Sequence, residues 1–176
     1  MQIADWLADH GIDPDKYKYV WHAHGSFVRT PWGQVDLPYG YLWDGASCVV
    51  DLVPEASAAH DRLYRLPYVT RQTDAGHVHR VRLNRYQCDL VYGYLLFKGR
   101  RPLFALVRPL GLIVANSTRW GPWNGYRRRE AAMGAAEWER YCAAHYVIPG
   151  AHKWLLPTRR TRDARYIPDG VAAHAE

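Results

Sequence analysis

PEASAAHDRLYRLP, residues 54 to 67, is the stretch on which the reading of the fold turns. Ala56, Ala59, His60, Leu63 and Tyr64 recur at i, i+3, i+4, i+7 and i+8, the spacing of one helix face. The pattern predicts a helix over Glu55–Leu66, ended by Pro67, whose ring and missing N–H cannot continue it. Upstream the texture differs. Tyr19, Trp21, Phe27 and Val28, a turn at Thr30 to Gly33, and Val35 to Leu37 predict a hairpin or small meander. A short helix over Ile3–His10, closed by Gly11, precedes it.

Downstream, residues 68 to 83 are polar and read as an exposed loop or hairpin. Asn84 is an N-cap for a helix over Arg85–Lys98, stopped at Gly99. Pro102 opens an apolar helix to about Asn116, with a kink expected at Pro109. Tyr126–Tyr146 reads as one long amphipathic helix using Met133, Ala136, Trp138 and Tyr141 for packing. The expectation is therefore α+β: a small N-terminal β hairpin or meander, then a bundle of about four helices. Residues 1–156 are expected to form a single compact domain, and residues 157–176 a basic, flexible tail.

At 176 residues and 48% apolar, the chain has room for one core and is not disordered throughout. The acidic, amphipathic start MQIADWLADHG does not read as a secretory signal. No apolar run reaches the roughly 20 residues of a membrane span. Cys48, Cys88 and Cys142 are an odd number with no zinc spacing, so a reducing site of synthesis is expected. Residues 1–61 carry a charge of −6 and residues 62–176 one of +12, so the net +6 is polarised along the chain. Arg supplies 19 of the 23 basic residues, and the rings are 8 Trp and 13 Tyr against 3 Phe. Such a surface suits a polyanion or a wet interface. No helix-turn-helix, zinc finger or RNP-like pattern accompanies it, so nucleic acid is the weaker partner. An anionic membrane or envelope surface, or neighbouring protein subunits, are the stronger ones.

The chemistry concentrates in AHDRLY, residues 59 to 64. His60 and Tyr64 lie one turn apart on one helix face, and Asp61 points about a quarter turn away. Asp89 sits among Cys88, Leu90, Val91, Leu95 and Leu96, where a carboxylate is costly unless it is bonded. Packing of the two helices is expected to bring Asp89 against Nδ1 of His60. Two readings follow: a His–Asp dyad that takes a proton from water, or a satisfied core pair supporting Tyr64. A dyad open to a cleft favours the first and a sealed dyad the second. Upstream, LPYGYLWDGAS (residues 37 to 47) reads as a loop with exposed carbonyls, offering Asp44 and Ser47 as oxygen donors around Gly45. With Asp61 they could hold Ca²⁺; alternatively Asp44 and Ser47 bond their own backbone in a tight turn.

These residues resemble a bacterial and bacteriophage family of unknown function. Its members share a [V/L]P-x-G-[F/Y]-x-x-DGAS stretch, an HDxLY stretch and a later "AD" helix. The resemblance covers about Val35 to Trp120, with Cys88 where the family often has Ala and Cys48 where it often has Ile. It implies a phage or prophage origin and no established activity. Synthesis in the host cytoplasm is expected, with incorporation into a virion under the assembly-protein reading. HDxxY on one helix and an Asp on the next are also similar to phospholipase A2. That resemblance implies His60 as general base, Asp89 orienting it and Tyr64 supporting Asp89. It also implies Asp61 ligating Ca²⁺ beside carbonyls of Tyr41 to Ala46. The paired cysteines of the secreted enzymes are absent, and the glycine-rich loop is reduced to Gly40 and Gly45.

His22/His24 and His77/His79 each share a strand face but lack a third ligand nearby, and read as exposed histidines. Ser26 and Ser47 lack the G-x-S-x-G context of a serine hydrolase. WGPWNG, residues 120 to 125, reads as a rigid packed turn or partner-contact patch. Two functions are therefore expected. One is a small His/Asp hydrolase acting on a lipid or cell-envelope ester or amide. The other is a non-catalytic virion, tail or assembly protein.

Overall fold

Thr30 and Gly33 bracket a tight two-residue turn. The Thr30 hydroxyl donates to the Gly33 carbonyl at 2.7 Å and accepts from the Trp32 amide at 3.2 Å. This turn joins β2 (Phe27–Thr30) to β3 (Gly33–Asp36) in an antiparallel hairpin, with Val28 opposite Val35. Gly33 has φ +135°, and a Cβ there would meet the Thr70 carbonyl at 2.8 Å. Only glycine permits both that backbone and the neighbouring strand's approach. The computed structural model describes Asp9 and residues 19–21, 27–44, 53–117 and 121–148. Apart from Asp9, which is helical, the expected helix over Ile3–His10 lies outside the described residues, as do the His22/His24 pair and the tail from 157.

β1 (Tyr19–Trp21) pairs antiparallel with β4 (Tyr41–Trp43) in a separate two-stranded sheet. α1 (Pro54–Arg65) follows, with Pro54 in its first turn, and Leu66 ends it in extended backbone. The chain then returns to the first hairpin. β5 (Tyr68–Gln72) and β6 (Val78–Arg82) form a second hairpin, and β5 joins β3 with Gln34 opposite Thr70. The order β2-β3-β5-β6 makes one antiparallel sheet. Val28, Val35 and Val69 are buried in it, while Arg71, Arg80 and Arg82 face outward.

Four further helices complete an α+β fold. α2 (Arg85–Lys98) opens with a capping box: the Asn84 side chain accepts from the Gln87 amide, and the Gln87 side chain accepts from the Asn84 amide. α3 (Pro102–Ala115) runs through Pro109 as one helix and packs on α2. α4 (Pro122–Met133) and α5 (Ala135–Tyr146) replace the single helix expected over Tyr126–Tyr146. The break is Gly134, whose φ of +84° lies outside any helical backbone. Trp123, Asn124 and Gly125, expected in a turn, are the first turn of α4.

Where the sheet, α1, α2 and α5 meet, Trp43, Leu63, Val91 and Trp138 are fully enclosed. Burying an aliphatic side chain of this kind contributes about 1.5–3 kcal/mol. The C-terminal end of α1 is held by three hydrogen bonds from α4 and α5. Arg127 donates to the carbonyls of Tyr64 and Arg65, both at 2.8 Å, and Trp138 Nε1 donates to the Arg65 carbonyl at 2.7 Å. These carbonyls are among the four that a helix end leaves without intrahelical donors. Glu130 secures Arg127 and also pairs with Arg82 of β6 at 2.9 Å. The site-bearing helix is thereby locked to α4, α5 and the sheet.

Candidate active site

α1 presents His60 and Tyr64 from one face, and α2 presents Asp89 to both. His60 Nε2 lies 3.2 Å from Asp89 Oδ1, and the Tyr64 hydroxyl donates to the same oxygen at 2.6 Å. Contact is through Nε2, not the expected Nδ1. Asp89 is 1% exposed and His60 7%. A carboxylate oxygen already receiving one hydrogen can meet imidazole favourably only as an acceptor. His60 therefore presents Nε2–H to Asp89, and in the neutral ring Nδ1 is the bare nitrogen. Among the described residues Nδ1 makes no hydrogen bond.

The ring is held between two tyrosines. Tyr64 lies 4.0 Å from it, tilted, and Tyr92, one turn beyond Asp89, stacks at 4.8 Å. The relay continues outward, because Asn116 at the end of α3 donates to the Tyr64 hydroxyl at 2.8 Å. Asn116 is itself fixed: it donates to the Leu112 carbonyl, and its side-chain oxygen accepts the Trp123 amide. Burial and the bond to Asp89 raise the Tyr64 phenol well above its ordinary value, so it stays protonated and donates. Asp89 Oδ2 has no partner among the described residues.

Asp61 leaves the dyad and faces β4. Its Oδ2 accepts the Asp44 amide at 3.4 Å and lies 3.7 Å from Arg65 Nη2. Burial and the adjacent Asp44 carboxylate push its carboxyl well above the usual carboxylate range, against the pull of Arg65. Gly45 and Ser47 lie outside the described residues.

The first part of the expected loop is strand. Tyr41–Trp43 is a buried strand paired with β1, and the Leu42 carbonyl accepts from Arg65 Nη1 at 2.6 Å. Asp61 meets the Arg65 guanidinium at 3.7 Å, so a cation at Asp61 would share its carboxylate with that charge. Among the described residues no group of three or more His, Cys, Asp or Glu is disposed to hold a metal ion. His77 and His79 are exposed on the second hairpin.

Sequence reasoning missed Arg65, Asn116 and Tyr92. Arg65 is almost fully buried, bonded to the Tyr41 hydroxyl at 2.6 Å and lying over the Tyr146 ring at 4.0 Å. Its signal was the i,i+4 spacing from Asp61. Asn116, the first polar residue after an apolar run, and Tyr92, one turn from Asp89, were visible in the same way.

No family model matches the chain, and no curated protein or solved structure matches it either.

Proposed function

We propose that the protein is a small phage-encoded hydrolase in which His60 is the general base, acting on an ester or amide of a lipid or other cell-envelope molecule. The observation that supports this is the 3.2 Å contact of Nε2 with Asp89 Oδ1, which in the neutral ring leaves Nδ1 bare and free to accept a proton. Nδ1 takes a proton from water as the water oxygen bonds to the substrate's carbonyl carbon. The imidazolium formed is stabilised through Nε2–H by Asp89, whose charge Tyr64 and Asn116 hold in place. His60 then returns the proton to the departing alcohol or amine as its bond to carbon breaks. An acid and an alcohol or amine are released.

One observation favours a second reading. The dyad is nearly sealed, and the chain His60–Asp89–Tyr64–Asn116 ties α1, α2 and α3 together. In that reading the motif is a structural knot in a virion, tail or assembly protein.

The test is product release from phosphatidylglycerol vesicles and from a panel of p-nitrophenyl esters, with wild type and His60→Ala. The hydrolase reading expects release by wild type and background rates from a His60→Ala variant with unchanged circular dichroism. Absence of release by wild type, with His60→Ala losing its melting transition, supports the structural knot instead.

A further inference from the structure

α3 is apolar on both of its faces. Pro109 is buried, and Ala105 and Leu112 pack against the core, so one side is docked. On the opposite side Leu103, Leu106, Val107, Leu110 and Val114 stand at i, i+3, i+4, i+7 and i+11. They form a single stripe, 54 to 70% exposed. No charged residue interrupts it. Phe97 at the end of α2, 66% exposed, extends it. Scattered apolar residues on a surface are ordinary, but a continuous stripe along a whole helix marks a face that meets something apolar.

Charge identifies the occupant. Residues 90–129 contain eight Lys and Arg and no Asp or Glu. Lys98, Arg100 and Arg101 are exposed beside the N-terminal end of the stripe, and Arg108 is half-buried on its flank. A second copy meeting this face would bring the same basic rim against itself, with no acidic residue in the segment to offset it. An anionic lipid surface supplies both the apolar layer and the opposite charge. The helix has 14 residues, about 21 Å at 1.5 Å per residue, against a hydrocarbon core of about 30 Å. No helix among the described residues is long and apolar enough to cross a membrane. The geometry is that of a helix lying in the membrane plane.

We propose that α3 and the end of α2 form an interfacial docking face, seating the leucine stripe in the headgroup region of an anionic bilayer with Lys98, Arg100 and Arg101 among the lipid phosphates. The face deepens the lipid-directed reading of the site, but binding itself does not require His60 to act as a base.

Flotation of the full chain tests it, with vesicles of phosphatidylcholine alone and of equal parts phosphatidylcholine and phosphatidylglycerol. Wild type is expected to float with the mixed vesicles and about tenfold less with phosphatidylcholine alone. Leu106→Ser/Leu110→Ser is expected to lose binding about tenfold or more while keeping the wild-type melting curve, since both side chains are exposed. Leu106→Met/Leu110→Met is expected to retain it. His60→Gln is expected to float like wild type, so failure of the hydrolase reading leaves this result standing. Three outcomes overturn the proposal. Wild type fails to float with mixed vesicles, or the serine variant floats undiminished. In the third, wild type is dimeric without lipid and the serine variant monomeric, which assigns the stripe to a second copy.

Discussion

Tyr64→Phe removes one oxygen from the centre of the buried relay and leaves the ring. The hydroxyl donates to Asp89 Oδ1 at 2.6 Å and accepts from Asn116 Nδ2 at 2.8 Å. Asn116 Nδ2 keeps its bond to the Leu112 carbonyl, so its loss is partial. The ring contacts to His60 at 4.0 Å and Trp123 at 5.4 Å do not depend on the oxygen. The main cost is one hydrogen bond to a buried carboxylate, about 1.5–3 kcal/mol. For a chain of this size that corresponds to a melting temperature lower by about 4–10 °C. Urea denaturation followed by circular dichroism reads the free energy, and a thermal scan reads the shift. Asn116→Ala, alone and combined with Tyr64→Phe, closes a cycle with an expected coupling of about 0.5–1.5 kcal/mol. A Tyr64→Phe loss under about 0.5 kcal/mol, with no coupling, would refute a relay centred on Asp89.

Other consequences follow from the same packing. Arg127→Met strips two donors from the end of α1 and one partner from Glu130, and is expected to cost about 2–4 kcal/mol in urea denaturation. Arg127→Lys should recover only part of this, because an ammonium lacks the planar fork. Gly134→Ala is expected to cost about 1–2 kcal/mol through backbone strain alone, since a Cβ there meets nothing within 4 Å. Burial pushes the Cys88 thiol up to about 12 and that of Cys142 up to about 11. In a Cys48→Ser background neither should react with a thiol reagent at neutral pH until the protein is denatured. Because both folded values lie above the ordinary thiol value of 9.0, their contribution to stability is intact below it. That contribution falls as the pH climbs toward 11 and 12, measurable as declining urea midpoints.

Legibility along the sequence followed the strength of local chemistry. α2 was readable to its ends because Asn84 and Gly99 flank a continuous apolar run, and the Thr30–Gly33 turn announced the first hairpin. The second hairpin reads equally as loop or strand, since only Val69 is fully buried in β5 and β6 and no alternation emerges. β4 was read as loop for the opposite reason. Tyr41, Leu42 and Trp43 are all enclosed, and the surrounding Pro38, Gly40 and Gly45 speak for a turn. The break at Gly134 was hidden by alanines on both sides, which sustain a helical pattern across it.

The site divides in the same manner. A His and an Asp in apolar helix surroundings need partners, and each is the other's. Nothing local in the sequence shows that β4 and α5 close over Arg65. That enclosure is a tertiary fact, and it makes Tyr41–Trp43 a strand whose Leu42 carbonyl bonds a guanidinium.

The tautomer of His60 tests the account most directly. Two-dimensional ¹H–¹⁵N spectra of the imidazole at neutral pH distinguish a protonated from a bare ring nitrogen, with Asp89→Asn as the comparison. The account predicts a protonated Nε2 and a bare Nδ1 in the wild type, with that preference weakened in Asp89→Asn. A wild-type ring protonated at Nδ1 and bare at Nε2 would contradict it, because the nitrogen assigned to take the proton from water would already carry one.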